Sequence, residues 1–142
     1  MRKYLPHILI ILFVFLLAPT ALVTSYAGEV EDAREEVRNN PDDANAHYNL
    51  GIAYYNTGKH KEAIESYKQA IRLDPDFAMA HYNLGTTYNN TGKYQKAIES
   101  HKHAIRLDPD DADTHYNLGN AYIILKDRGS ALVTCPRCLY HL

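Results

Sequence analysis

Residues Ala78–Asp111 read AMAHYNLGTTYNNTGKYQKAIESHKHAIRLDPDD, and this segment decides the fold because much of the chain repeats it. The preceding segment, Ala44–Phe77, reads ANAHYNLGIAYYNTGKHKEAIESYKQAIRLDPDF, and the following one, Ala112–Leu142, begins in the same way. The period is 34 residues, a length typical of solenoids, in which each copy buries its apolar face against its neighbours. The sequence therefore predicts three units: unit 1 (44–77), unit 2 (78–111) and unit 3 (112–142).

Each complete unit carries two apolar stripes with helical spacing. In unit 1, Leu50, Ala53 and Tyr54 predict a first helix from Ala44 to Asn56. A second helix, from about Lys61 to Leu73, carries the apolar residues Ala63, Ile64, Tyr67, Ala70 and Ile71. The sequence therefore predicts an all-α solenoid of antiparallel helix pairs.

Glycine, proline and other small residues indicate where the helices end and meet. Gly58 suits the left-handed end of a first helix, and Asp74-Pro75 stops a second helix. Small residues recur one period apart, namely Gly51, Gly85 and Gly119 on the first helices and Ala63, Ala97 and Ala131 on the second. We expect the paired helices to approach closely there, so a larger side chain would push them apart.

Composition narrows the functional classes. The 142 residues suit one domain, and 15 Lys+Arg against 17 Asp+Glu give a formal net charge of −2. The sequence lacks the basic patch that is typical of nucleic-acid-binding proteins. The sequence contains no nucleophile–base set, phosphate-binding loop, complete metal site or cofactor motif. We therefore expect a protein that is not an enzyme and uses no cofactor.

The amino-terminal residues resemble an export segment. Arg2 and Lys3 precede an apolar run, and Ser25 and Ala27 stand at −3 and −1 of a signal-peptidase site before Gly28. Residues 5–24 also approach the ~20 residues that a membrane-spanning helix needs. Residues 1–27 are thus a cleaved signal peptide or a retained membrane anchor, and both alternatives predict repeats outside the cytoplasm.

Residues 28–43 are expected to form an amino-terminal capping helix. Glu29–Asn40 is rich in charged helix formers, and Pro41 follows it. Val37 aligns with Ile71 and Ile105, so the segment corresponds to the second helix of a degenerate preceding unit.

Units 1 and 2 resemble the tetratricopeptide repeat (TPR) family. The matching signature residues are Leu50, Gly51, Tyr54, Ala63, Tyr67, Ala70 and Pro75, then Leu84, Gly85, Tyr88, Ala97, Ala104 and Pro109. The resemblance implies a right-handed superhelix that binds an extended peptide or a partner helix in a concave groove. That groove is lined mainly by the first helices.

Unit 3 departs from this pattern after a regular beginning. Lys126 replaces the turn glycine, and Pro136 interrupts the second helix. We therefore describe unit 3 as degenerate and truncated. Its apolar end predicts either that a partner, which includes a second copy of the chain, covers this end, or that the chain is a fragment of a longer array.

Two polar residues of each first helix are the candidate binding residues. They recur one period apart and comprise Tyr48, Asn49, Tyr82, Asn83, Tyr116 and Asn117. A side-chain amide can both donate to a peptide carbonyl and accept from a peptide N–H. The asparagines resemble the asparagine ladder in the repeats of O-linked N-acetylglucosamine transferases. The tyrosines are alternatively packing residues between neighbouring units.

The histidines are less informative. His47, His81 and His115 stand where the family most often has Trp, and His101 replaces the aromatic residue that unit 1 has at Tyr67. Histidines one unit apart are too distant to share an ion, so we expect packing roles and no metal site in the repeats.

Cys135-Pro136-Arg137-Cys138 is the one motif in the sequence that is associated with a chemical reaction. The two cysteines can form a disulfide or exchange thiols in an oxidising compartment, or bind a metal with His141. However, no βαβ pattern surrounds the pair.

The sequence thus favours an exported or membrane-anchored scaffold that binds a protein or peptide. A thiol redox or metal-handling protein that uses Cys135 and Cys138 is the alternative.

Overall fold

A computed structural model describes residues 28–125 of the chain. Residues 28–39 are helical (α1). They are followed by α2 (Ala44–Asn56), α3 (His60–Leu73), α4 (Ala78–Asn90), α5 (Tyr94–Leu107) and α6 (Ala112–Ile124). The described range contains no strand. The predicted all-α solenoid of helix pairs is confirmed, and α3 begins one residue earlier than expected. Residues 1–27 and 126–142, with the predicted signal or anchor and Ala131, Cys135 and Cys138, lie outside the described range.

The helix ends follow from the glycines and prolines of each unit. Gly58 has φ +73° and Gly92 has φ +72°, the left-handed conformation that glycine adopts without steric cost. In unit 1, Gly58 N donates to Tyr55 O at 3.0 Å and Lys59 N donates to Tyr54 O at 2.9 Å. These two bonds form a Schellman motif, so α2 and α3 are joined by only three residues, 57–59.

Consecutive helices pack side by side along the chain. The core of units 1 and 2 contains Leu50, Tyr54, Ile64, Tyr67 and Leu84. A further cluster is centred on Ile98, Leu118 and Tyr122. Ala63 and Ala97, the predicted small residues of the second helices, have no solvent exposure.

Helix α1 covers the amino-terminal end of this core. Val30 is buried, and Ala33 and Val37 pack against the cluster of units 1 and 2, as the alignment of Val37 with Ile71 predicted. Arg34 Nε donates a hydrogen bond of 2.8 Å to the Tyr54 hydroxyl of α2. The acidic side chains of α1 remain exposed, which fits the predicted capping helix.

The glycines of the first helices face aromatic rings of the second helices. A Cβ atom added to Gly51 would lie 2.5 Å from Tyr67 Cε1, and one added to Gly85 would lie 2.6 Å from His101 Cε1. Both distances are shorter than the non-bonded contacts that Cβ atoms make in proteins, so only glycine permits the paired helices to lie this close. The expected close approach is confirmed at Gly51 and Gly85, and the ring at position 67 or 101 is what the glycine accommodates.

Candidate peptide-binding face

The first helices of the three units form a continuous surface. We define the first-helix face as the side chains at positions i, i+4, i+7 and i+11 of α2, α4 and α6, which share one side of each helix. They are Asn45, Asn49, Ile52 and Asn56, then Met79, Asn83, Thr86 and Asn90, then Asp113, Asn117, Asn120 and Ile124. All twelve are exposed or half-buried. Seven of the twelve are asparagines.

Tyrosine–asparagine hydrogen bonds join neighbouring first helices. Asn83 Nδ2 donates to the Tyr48 hydroxyl at 3.0 Å, which links α2 to α4. Asn117 Nδ2 donates to the Tyr82 hydroxyl at 3.3 Å, which links α4 to α6. The structure therefore brings four of the six predicted site residues together in two pairs, in which Asn83 and Asn117 each contact the tyrosine of the preceding unit. Asn49 and Tyr116 belong to neither pair. Each amide retains its carbonyl oxygen and a second hydrogen for other partners.

A second pair of this kind was not predicted. Asn90 Nδ2 donates to the Tyr55 hydroxyl at 2.7 Å, two helical turns beyond the first pair. Tyr55 and Asn90 stand seven residues after Tyr48 and Asn83, so the same faces of α2 and α4 meet twice. That heptad spacing is the sequence signal that could have revealed the contact.

Tyr48 combines packing with this polar role. Its ring centroid lies 4.8 Å from that of Phe77 and 5.9 Å from that of Tyr67. Burial raises the pKa of the Tyr48 hydroxyl, and the hydrogen bond from Asn83 opposes part of that rise. Tyr48 and Tyr82 are half-buried, whereas Tyr116 is 60% exposed. The rings of Tyr48 and Tyr82 therefore contact rings of their own units, Tyr82 with that of His101 at 6.0 Å between centroids, while their hydroxyls position the asparagines of the next unit.

Charge is distributed unequally between the two helices of each unit. Helices α2 and α4 contain no Asp, Glu, Lys or Arg, and α6 contains only Asp113, in its first turn. Helices α3 and α5 together contain nine such residues. The first-helix face is therefore an almost uncharged surface in a well-charged protein.

The regular spacing of three histidines has a structural explanation. The Nε2 atoms of His47, His81 and His115 lie 2.9, 3.1 and 3.0 Å from the carbonyl oxygens of Pro41, Pro75 and Pro109. Because a carbonyl oxygen only accepts, each ring donates from Nε2. Each histidine thus holds the turn that precedes its own helix. Within residues 28–125, no three His, Cys, Asp or Glu side chains are grouped so as to hold a metal ion.

His101 and His103, two residues apart on α5, occupy different environments. His101 is fully buried against Gly85, and burial lowers its pKa to about 4, partly opposed by Asp111. His103 is exposed, and its ring stacks on that of His81 with centroids 5.1 Å apart. Both contacts hold α4 against α5.

Membrane insertion and cysteine chemistry concern other parts of the chain. Among residues 28–125, no helix is both long enough and apolar enough to cross a membrane. The predicted signal or anchor (1–27) and the Cys135–Cys138 pair lie outside these residues.

Together these features define an α-solenoid whose first helices present one continuous polar surface. The family profile described as TPR repeat matches residues 53–92 and 87–123, and the profile described as tetratricopeptide repeat matches residues 28–65. The chain therefore belongs to the tetratricopeptide repeat family. A comparison with curated proteins gives no match.

Several solved structures are similar to the chain. A crystal structure of MamA is 29% identical with a TM-score of 0.74, over 78% of this chain and 65% of that one. MamA from Desulfovibrio magneticus RS-1, from residue 41 to its end, is 23% identical with a TM-score of 0.74, over 84% of this chain and 68% of that one. YrrB, a TPR protein described as having an unusual peptide-binding site, is 24% identical with a TM-score of 0.71, over 78% of this chain and 57% of that one. The latter two show the fold alone.

Proposed function

We propose that this protein is a non-catalytic scaffold that binds an extended peptide segment of a partner protein on its first-helix face. The observation that carries the proposal is the row of asparagines whose amides are held in place by Tyr48 and Tyr82. Held side chains lose little conformational freedom when a ligand binds. YrrB, a member of the same family, has a peptide-binding site, which supports the same class of ligand.

The asparagines are expected to contact the ligand main chain. Each amide has an oxygen that can accept from a peptide N–H and a hydrogen that can be donated to a peptide carbonyl. Because the spacing between units repeats, successive amides meet successive parts of an extended strand. Such contacts tolerate many ligand sequences, as a scaffold requires.

Peptides selected from a displayed random library on the full chain would test this proposal. We expect Asn83→Ala with Asn117→Ala to weaken the selected peptides by about tenfold, because each lost hydrogen bond costs ~0.5–1.5 kcal/mol. Tyr48→Phe removes the Asn83–Tyr48 bond but keeps the amide, so it should weaken binding by a smaller factor than the double alanine variant, because the freed amide loses conformational freedom when the peptide binds. Glu62→Gln, at an exposed position of α3, is the control and should leave the affinity unchanged. Equal affinity for the wild type and the double alanine variant would refute the proposal.

The same peptides separate the scaffold from the thiol alternative. Cys135→Ser with Cys138→Ser should leave peptide affinity unchanged, because the proposed binding face contains no cysteine. A loss of binding in this variant with intact binding in the asparagine variant would favour the thiol alternative.

We also propose that the repeats act outside the cytoplasm, delivered by residues 1–27. The supporting features are the apolar run after Arg2 and Lys3 and the small residues Ser25 and Ala27. A reporter enzyme active only after export, fused after residue 30, should be active, and it should be inactive when residues 1–27 are deleted. Release of the reporter into the soluble fraction would distinguish a cleaved signal from an anchor.

Self-association through the carboxy-terminal end is a further proposal. Ile123 in α6 and Leu125, which follows that helix, are 59% and 42% exposed and lie outside the first-helix face, and exposed apolar side chains of this kind favour association. Light scattering over a concentration series should show a rising mass, and a constant monomer mass would refute it.

A further inference from the structure

The first-helix face differs from the rest of the described surface in its lack of charge. Of its twelve side chains, only Asp113 is charged, and it lies in the first turn of α6, at the edge of the face. The second helices carry the opposite character, with Lys61, Glu62 and Lys102 among their exposed residues. This segregation follows the period of the repeat, because α2 and α4 both lack charge while α3 and α5 both carry it.

We infer that the segment bound on this face is itself uncharged, so that its binding is insensitive to salt; this inference rests on the proposed function. A Lys, Arg, Asp or Glu side chain of the ligand would lose water against asparagine, tyrosine and isoleucine without gaining an opposite charge. Burying an unpaired charge is strongly unfavourable. The face therefore discriminates against charged segments and favours uncharged polar and apolar ones.

The composition of the face also predicts how the ligand lies. At the α2 end the exposed residues Asn45, Asn49 and Asn56 are all amides. At the α6 end Ile124 is 52% exposed, and the equivalent residue of α4 is Asn90. Amides match polar groups and an exposed isoleucine matches an apolar side chain. The uncharged ligand therefore places an apolar side chain against Ile124, in the last turn of α6 and away from Asp113 in its first turn.

A salt titration of the library-selected peptides tests the inference on the full chain. Between about 0.1 and 1 M NaCl the Debye length falls from about 10 to 3 Å. We expect the affinity to change by less than about twofold over this range, and the enriched peptides to lack charged residues in their shared stretch. Charged peptides that lose about tenfold or more in affinity at the higher salt would overturn the inference while leaving the proposed function intact.

Two matched charge variants make this test sharper. Asn49→Lys introduces a cation on the exposed part of the first-helix face, so it should admit acidic peptides and make their binding salt-dependent by about fivefold or more. Glu62→Lys changes more charge, but on α3, and it installs the residue that unit 2 has at Lys96. This control should alter neither the selected peptides nor their salt response. An effect of Glu62→Lys equal to that of Asn49→Lys would overturn the inference.

The orientation is tested with one further substitution. Ile124→Asn installs the residue that unit 2 has at Asn90, so it is compatible with the fold. It should weaken peptides with an apolar end by about fivefold through lost apolar contact. Leu107→Asn, at an exposed position of α5, is the control and should leave their affinity unchanged. If no peptide distinguishes the wild type from the double alanine variant of Asn83 and Asn117, the proposed function and this inference fail together.

Discussion

Units 1 and 2 agree at 24 of their 34 positions, and their helices begin and end in equivalent places. Their interiors nevertheless differ. In unit 1 the ring packed on Gly51 is Tyr67, a large and almost fully buried side chain. In unit 2 the ring packed on Gly85 is His101, whose Nδ1 has no hydrogen-bond partner among the described residues. Tyrosine and histidine thus fill equivalent positions between the paired helices of units 1 and 2. We expect the histidine to give the lower stability and to make stability depend on pH.

The largest expected effect is the removal of the unit 1 ring. Tyr67→Ala leaves a cavity between α2 and α3 and should lower the free energy of unfolding by ~3–5 kcal/mol, the range for large aromatic residues in cores. His101→Ala should cost clearly less, because it also removes a buried Nδ1 that has no partner among the described residues, although it takes from Asn89 Nδ2 its contact of 3.3 Å with His101 Nε2. Urea unfolding followed by circular dichroism measures both, and equal losses would contradict the difference between the two interiors.

The pH dependence of stability tests the unit 2 ring. The pKa of His101 is about 4 in the folded protein, against an ordinary value of 6.5. At this histidine the unfolded chain therefore binds a proton more readily than the folded protein does. The contribution of neutral His101 to the free energy of unfolding is fully present above pH 6.5 and is lost as the pH falls to about 4. The loss amounts to about 3 kcal/mol, since one pKa unit corresponds to ~1.4 kcal/mol.

His101→Tyr provides the comparison because it installs the residue of unit 1. Unfolding curves at several pH values should show that this variant lacks the histidine-specific loss, while other titrating groups contribute equally to both proteins. A wild type and variant with parallel pH profiles would contradict the buried neutral histidine.

Close approach at the glycines gives an intermediate effect. Gly85→Leu should destabilise by ~1–3 kcal/mol through overpacking, because even a Cβ would lie 2.6 Å from the His101 ring. Met79→Leu is the control at an exposed position of the same helix and should stay within ~0.5 kcal/mol. Thermal unfolding measures both variants, and an unchanged melting temperature for Gly85→Leu would count against the packing.

The smallest effect concerns Phe77, the last residue of unit 1, which stands immediately before α4. Asp43 and Asp111 cap α2 and α6 through their side chains, whereas Phe77 gives α4 no such cap and packs on Tyr48 instead. Phe77→Ala should cost ~1 kcal/mol of aromatic contact. Phe77→Asp should be nearly neutral, because a new cap contributes ~1 kcal/mol in compensation. Equal stabilities of the Ala and Asp variants in urea would show that no cap forms.

Much of the fold was predictable because it depends on local signals. The period, the apolar stripes, Gly58 and Pro75 specify where helices run and stop. The candidate site was predictable as a set of positions, but its pairing was not. Asn83 bonds Tyr48, 35 residues away, and that contact depends on how one unit is rotated on the next. The role of Phe77 also required the structure, since a cap and an aromatic contact are alternatives at one position.

The short turns between paired helices have a consequence for folding. Because units 1 and 2 are nearly the same sequence, α2 offers similar packing surfaces to α3 and to α5, so side-chain recognition alone would not sort the correct pair from the wrong one. The three-residue connections at 57–59 and 91–93 make the local pair form far more readily than a pair that must close a longer loop. Lengthening either connection with flexible residues should therefore promote exchange of helices between units or between molecules. Gly58 and Gly92, which make the short connections possible, thus favour correct pairing of the helices.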